Sequence, residues 1–202
     1  MNPPLVPLGK PHGERADAAR NREHLLEVAR DMVAEQGAET VTMDGLAERA
    51  CLGKGTVFRR FGTRAGIFRA LLDADERDFQ CDVMSGPPPL GPGAAPVPRL
   101  AAYGRARIAF LLDHFAIARA TIDRNEPTPP GGAEFTRMHI WMLLGQARLD
   151  IADLDGLAIQ LTAALEGPIL LARWIPETPV TEQTPVPLAA SWSTLIERVC
   201  RP

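Results

Sequence analysis

The chain has 202 residues, of which 46% are apolar and 23% charged, as is ordinary for a soluble globular protein with a sizeable core. Its net charge of −3 gives no bulk electrostatic reason to bind nucleic acid, so any such binding must come from a local basic surface. No stretch approaches the roughly 18 apolar residues of a membrane span, and the start is not a signal peptide, so we expect a cytoplasmic protein without a membrane partner.

Helical signals begin after a start that is rich in Pro and Gly. Residues 1–16 lack hydrophobic periodicity, and we expect a disordered arm there. Apolar residues then recur at helical spacing, Gly37 ends the first helix, and Thr42 is a candidate N-cap for the second. A break at residues 51–53 separates the second helix from the third. The first four predicted helices span about 17–36, 43–50, 54–60 and 64–81.

A proline-rich stretch, residues 83–98, follows the fourth helix. It cannot form a helix or sheet interior, and we expect a linker and domain boundary there. No alternating β-branched run and no Asn-Gly hairpin signal occurs. We therefore predict an all-α protein, in which a helix-turn-helix domain, residues 17–82, is joined by a long helix to a helical ligand-binding and dimerisation bundle, residues 99–202. The helices predicted in this bundle span about 99–124, 133–149, 153–174 and 187–200.

Two short helices joined by a three-residue turn, after a longer helix, are typical of a helix-turn-helix, here about residues 42–61. Gly53 and Gly55 remove side-chain bulk where the backbone must approach phosphate, and Thr56 is short enough to bond a base edge or touch a thymine methyl. The segment 53–64 is therefore a candidate DNA contact. It contains no acidic residue and four basic ones, Lys54, Arg59, Arg60 and Arg64.

The run TMDGLAERACLGKGTVFRRFGTRAGIFRALL resembles the DNA-binding core of the tetracycline-repressor family. The resemblance covers about residues 17–82 and implies a homodimer whose third helix reads the major groove of double-stranded DNA. It also implies that Thr42 and Arg64, at the starts of the second and fourth helices, grip phosphates. The recognition-helix contacts that it implies are Lys54, Gly55, Thr56, Phe58, Arg59 and Arg60.

The sequence departs from the family pattern at two positions. Family members often carry Gly in the turn where this chain has Cys51, and a left-handed conformation there would cost Cys about 1 kcal/mol. The frequent Tyr of the recognition helix is Phe58 here, so a phosphate-binding hydroxyl is missing. Phe58 could pack against a sugar or a thymine methyl instead, and Arg59 and Arg60 could compensate.

Aromatic, methionine and histidine side chains concentrate in the predicted helices over 99–124 and 133–149. A central apolar helix beside a Met- and Trp-bearing neighbour can enclose a cavity for a small-molecule effector, with the two histidines orienting it. The alternative is that these side chains are simply core, the histidines hydrogen-bonded within it. The candidate pocket residues are Phe110, His114, Phe115, Met138, His139, Trp141 and Met142.

Apolar stripes run along the last two predicted helices. In the tetracycline-repressor family these helices commonly form a four-helix dimer interface, which the resemblance implies here. The alternative is that the stripes pack inside the chain. The candidate interface residues are Leu157, Leu161, Leu165, Trp192, Leu195 and Val199.

Three classes of function compete. An enzyme is disfavoured because no nucleophile elbow, HExxH, P-loop or dinucleotide turn occurs, so we expect no catalytic residues. Cys51, Cys81 and Cys200 lack metal-ligand spacing, and we expect neither a metal nor a cofactor. The leading prediction is a repressor that releases a palindromic operator on binding a small, mostly apolar effector. The alternative is a constitutive DNA-binding regulator or activator without an effector.

Overall fold

The structure is a computed structural model of the chain and describes residues 12–121, 132–174 and 185–201. Every regular element within these ranges is helical, and the predicted all-α fold class is confirmed. A short 3-10 turn, Ala38–Thr40, follows the first helix. The α-helices are α1 His12–Gln36, α2 Met43–Arg49, α3 Lys54–Phe61, α4 Arg64–Ser85, α5 Pro96–Asp113, α6 Phe115–Ala120, α7 Ala133–Gln146, α8 Leu154–Trp174 and α9 Pro185–Val199.

The start of α1 and the end of α5 differ from the sequence-based expectation. α1 begins at His12, so residues 12–16 are helical, while the rest of the predicted arm, 1–11, lies outside the described residues. The predicted helix over 99–124 is interrupted at His114, whose backbone leaves helical geometry with φ −95° and ψ 8°. The His114 Nδ1 atom donates to the Phe110 carbonyl at 2.7 Å, so the side chain takes up a carbonyl at the end of α5.

The chain divides into two compact units, Met1–Leu71 and Leu72–Pro202. The division falls inside α4 and not at the proline-rich stretch 83–98. α4 continues to Ser85 and α5 begins at Pro96, because proline is well suited to the first turn of a helix, where no intrahelical N–H bond is lost. The proline-rich segment is therefore part of the second unit.

Arg99 holds the proline-rich segment in place. Its Nη2 atom donates to the Val83 carbonyl oxygen at 3.1 Å and its Nε atom to the Leu90 carbonyl oxygen at 3.3 Å. The side chain is buried, and bonds from a charged donor are stronger than neutral ones. One arginine thus ties the end of α4 and the middle of the segment to the first turn of α5.

The first unit packs around apolar side chains from α1 to the start of α4. Thr42 caps α2 as the sequence predicted, because its Oγ1 atom accepts from the Gly45 N–H at 3.0 Å. Thr63 caps α4 in the same way, with its Oγ1 atom accepting from the Gly66 N–H at 3.0 Å. These caps set where α2 and α4 begin, and hence where α3 lies between them. The fully buried core side chains of this unit include Leu25, Val41, Leu46, Val57, Ile67, Phe68 and Leu71.

Three of the six residues expected at a dimer interface lie in the core of the second unit, and for these three the assignment is corrected. Leu161, Leu165 and Trp192 are buried within the chain, and Leu157 and Val199 pack against the same cluster. The Trp192 indole donates to the Leu100 carbonyl oxygen at 3.2 Å and fills the space that a Cβ atom at position 104 would need. Apolar spacing marks a face that is covered, whether by the same chain or another. Of the predicted interface residues, Leu195 is 36% exposed, and Leu157 and Val199 are half-buried and keep part of their surface accessible.

Candidate nucleic-acid interface

The third helix is anchored by one side and open on the other. Val57 is fully buried and Phe61 is half-buried, so this face packs on the first unit. Gly55, Phe58 and Arg59 lie on the opposite, exposed face at helical spacing. α3 is therefore held by its apolar side and presents a continuous strip without an acidic residue.

The basic side chains of α3 differ in whether they form hydrogen bonds or ion pairs within the chain. The Lys54 Nζ atom lies 2.8 Å from the Asp44 carboxylate, but both side chains are exposed, and such pairs contribute little and exchange readily. Arg60 donates to the Ala18 carbonyl oxygen at 2.8 Å. Arg59 has no hydrogen bond or ion pair within the part of the chain that the structure describes. Arg59 is thus the most available cation of the helix.

Arg64 has an internal role that the sequence did not predict. Its Nε atom donates to the Val41 carbonyl oxygen at 2.7 Å, and its Nη2 atom donates to the Ala38 carbonyl oxygen. The guanidinium also lies 4.8 Å from the centroid of the Phe68 ring. Arg64 therefore fastens the 3-10 turn to α4. Because a guanidinium carries five N–H donors, its phosphate contact stays a prediction beside this role.

Two glycines of the α3 region are not required by the fold. An added Cβ atom at Gly53 or Gly55 would meet nothing within 4 Å, and neither residue has a positive φ. Glycine inside a helix costs roughly 1 kcal/mol relative to alanine. Packing within the first unit therefore gives no reason for glycine at Gly55, whereas a close external partner would.

The turn before α3 has the left-handed conformation that the resemblance suggested. Cys51 has φ 53° and its thiol is exposed. A non-glycine residue in this region carries a steric cost of about 1 kcal/mol because its Cβ atom crowds the following carbonyl. Cys51 therefore adopts the backbone conformation that glycine usually supplies in such a turn.

A buried charge cluster occupies the interior of the second unit. Arg107 on α5 is 2% exposed and lies between two carboxylates, with its Nη1 atom 2.6 Å from Glu76 and its Nη2 atom 3.0 Å from Glu166. Burial alone would lower the pKa of Arg107, but the charges of Glu166 and Glu76 outweigh it and raise the pKa. The guanidinium also lies 5.2 Å from the centroid of the Phe110 ring. This cluster joins α4, α5 and α8.

A histidine on α7 is buried with one ring nitrogen that lacks a hydrogen-bond partner among the described residues. His139 packs against Tyr103, with ring centroids 4.7 Å apart, and stacks on Phe135. Its Nε2 atom has no hydrogen-bond partner among the described residues. Burial lowers the pKa of His139 to about 4, so the ring is neutral at pH 7. Tyr103 donates to the Thr136 hydroxyl at 2.8 Å, and burial raises the pKa of Tyr103 to about 12.

The structure brings together only part of the predicted pocket. Phe110 and His114 stack at 4.2 Å, and His114 Nε2 lies 3.1 Å from Asp75. Met138 and Trp141 are 57% and 49% exposed, so they lie on the outer face of α7, opposite His139, and do not line an interior site. Phe115 and Met142 are half-buried.

Four buried or half-buried polar residues of the second unit were not predicted from the sequence: Tyr103, Arg107, Glu76 and Glu166. The signal for them was Arg107 itself, a charge directly before the apolar run 108–112, although Arg105, which is exposed, carries the same charge two residues earlier. Across the described ranges, no three His, Cys, Asp or Glu side chains are grouped so as to hold a metal ion. No helix there is both long and apolar enough to cross a membrane.

The first unit is similar in sequence to known bacterial regulators. Residues 25–71 match the family described as "Bacterial regulatory proteins, tetR family". An HTH-type transcriptional regulator of Staphylococcus aureus, strain bovine RF122 / ET3-1, is 29% identical over 65 residues, which are 32% of this chain and 35% of that protein. The match therefore spans about a third of the length of this curated relative.

Solved structures resemble the chain over most of its length. A TetR-family transcriptional regulator from Pectobacterium atrosepticum has a TM-score of 0.66 and 20% identity, covering 92% of this chain and 94% of that one. A structure described as the SmeT–triclosan complex has a TM-score of 0.56 and 18% identity, covering 87% of this chain and 91% of that one. These likenesses show the fold, and the resemblance of the helix-turn-helix region to the tetR family is confirmed by the family match over residues 25–71.

Proposed function

We propose that this chain, a member of the tetR family of bacterial regulatory proteins through its first unit, acts in the cytoplasm as a ligand-responsive repressor that binds double-stranded DNA with α3. The observation that carries this proposal is the exposed surface of α3 and its N-cap, which carries the cations Lys54, Arg59 and Arg60, the open glycines Gly53 and Gly55, and no acidic residue. A surface of this kind suits the phosphates and base edges of a major groove. Because the whole chain has a net charge of −3, DNA attraction must be concentrated at this surface.

The homodimer of this proposal uses an exposed helix face in place of the buried leucine stripe. The exposed face of α9 carries three small side chains beside one leucine and one arginine, and the small side chains allow two copies of the helix to approach closely. A twofold dimer would bind a palindromic operator whose half-site centres are about 34 Å, or a multiple, apart. The residues of this face are Ala190, Ser191, Thr194, Leu195 and Arg198.

The effector of this proposal is a small, mostly apolar molecule held in the second unit. The rings of Phe79 and Phe110 lie 5.8 and 5.2 Å from the Arg107 guanidinium, and the Nε2 atom of His139 can bond a polar group. The triclosan complex of a protein with a similar fold gives the same type of ligand, an aromatic molecule with few polar atoms. The alternative is a regulator that binds DNA constitutively, without any effector.

The DNA-binding proposal predicts a specific salt effect. An operator is first selected from a random duplex library with the intact protein. Arg59→Ala should then flatten the slope of log affinity against log salt by about 0.9 for each phosphate that the side chain neutralises, hence by about 2 for a dimer. Arg119→Ala, an exposed arginine on α6, is the matched control and should leave the slope unchanged.

Arg64→Ala should behave differently from Arg59→Ala. It removes two hydrogen bonds to backbone carbonyl oxygens and should destabilise the first unit as well as weaken DNA binding. Thermal unfolding separates the two effects. If Arg59→Ala binds the operator as tightly as the unaltered protein at every salt concentration, α3 does not contact DNA in the proposed way.

The effector proposal predicts reciprocity between ligand and operator. A molecule that raises the unfolding temperature of the protein, with triclosan as the first probe, should weaken operator binding roughly 5- to 150-fold, which corresponds to a coupling of about 1–3 kcal/mol. Operator DNA must then weaken the binding of that molecule by the same factor. Calorimetric titrations with and without operator measure this directly. Equal affinities for a ligand that binds would favour the constitutive regulator.

A further inference from the structure

Phe58 is the one large apolar side chain of the described part of the first unit that is highly exposed, with 50% of its surface accessible. It lies on the open strip of α3, three residues after Gly55 and directly before Arg59. No other aromatic ring of the described residues stacks on it. An exposed phenyl ring in the middle of a cationic strip has no apolar partner unless an external molecule supplies one.

The chemistry of a phenyl ring limits what it can contact in DNA. It has no hydrogen-bond donor or acceptor of ordinary strength, so it cannot replace a hydroxyl at a phosphate or bond the polar edge of a base. The apolar group that the major groove offers is the C5 methyl of thymine. A ring on the recognition helix that approaches the groove floor can therefore distinguish thymine from the other bases by this methyl.

The neighbours of Phe58 favour such an approach. Gly55 lies one helical turn earlier and leaves open space, since an added Cβ atom there would meet nothing within 4 Å. Arg59 is exposed and available to bind a phosphate or a guanine beside the ring. The strip thus combines a recess at Gly55, an apolar projection at Phe58 and a cation at Arg59.

We propose that Phe58 determines part of the operator sequence by packing on a thymine C5 methyl in each half-site. This inference rests on the proposed DNA-binding function and extends it to one base position. Burial of one methyl group corresponds to an affinity change of about fourfold for each half-site, and about 15-fold for both.

The test removes the methyl from the DNA and the ring from the protein. The intact protein is used to select an operator, and each thymine pair of the palindrome is then replaced by deoxyuridine, which lacks only the C5 methyl. At one position the unaltered protein should bind about 15-fold more weakly. Phe58→Ala should bind the thymine operator more weakly and be indifferent to deoxyuridine at that same position. Circular dichroism and thermal unfolding check that the exposed substitution leaves the fold intact.

The outcomes separate this inference from the function on which it rests. Failure to enrich any sequence in the selection overturns the DNA-binding proposal itself. An operator that is selected, but at which deoxyuridine weakens the unaltered protein and Phe58→Ala equally at every position, overturns the thymine contact alone. A uniform decrease in affinity for Phe58→Ala with no dependence on any methyl also overturns it, and assigns the ring to a sugar contact.

Discussion

Replacing Arg107 by methionine should destabilise the second unit by about 3–5 kcal/mol, because it leaves Glu76 and Glu166 as uncompensated charges in the interior. Most of this cost is the desolvation of two carboxylates that no longer have a cation beside them. The attraction that the ion pairs themselves contributed is the smaller part. All three tryptophans, Trp141, Trp174 and Trp192, belong to the second unit, so their fluorescence during urea unfolding reports on it selectively.

A matched variant separates these two contributions. Arg107→Met combined with Glu76→Gln and Glu166→Gln removes the charges while keeping side chains of similar shape, and it should recover most of the stability. If the triple variant is as unstable as Arg107→Met alone, the destabilisation comes from poorer packing against Phe79 and Phe110, and the charge explanation is wrong.

Leu161→Glu should unfold the second unit, whereas Leu195→Glu should leave it folded and convert dimers to monomers. Leu161 is buried inside the chain, and a carboxylate placed there has no partner, which costs several kcal/mol, on the order of 4 or more. Leu195 is exposed on α9 and accepts a charge without internal cost. Both variants are compared by circular dichroism and light scattering at matched concentrations.

The pair of variants tests the corrected dimer surface. A folded Leu195→Glu protein that is still dimeric would move the interface away from this face of α9. A folded Leu161→Glu protein that becomes monomeric would restore the original stripe as the interface. The two side chains differ mainly in what covers them, so the comparison isolates burial within the chain from burial between chains.

The local features of the first unit were predictable because they depend on neighbouring residues. Thr42 and Thr63 bond N–H groups three residues later, and the break at 51–53 forms a left-handed turn at Cys51 as the family pattern suggested. Arg64 was harder, because its acceptors are carbonyl oxygens more than twenty positions earlier in the chain. Nothing in the sequence around Arg64 marks those oxygens.

In the second unit, hydrophobic periodicity predicts which helix faces are covered but not what covers them. The spacing of Leu161 and Leu165 is the same for a face covered by the chain and for a face covered by a second subunit. The charge cluster unites residues from α4, α5 and α8, and its members are separated by dozens of residues. The methionines and the tryptophan of α7 led to the prediction of a pocket. In the structure Met138 and Trp141 are exposed and His139 is buried, because composition does not specify which side of α7 faces the core.

The hydrogen bonds of Arg99 affect where the chain can be truncated, tagged or cleaved. A cut or an inserted tag in the proline-rich segment would disturb a tethered loop that Arg99 fixes to Val83 and Leu90, and we expect proteases to find few openings there. A DNA-binding fragment ending near residue 82 would carry Glu76 and Phe79 away from Arg107 and Phe110. Such a fragment would expose apolar surface at its carboxyl end and tend to aggregate, so the intact chain is better suited to binding studies.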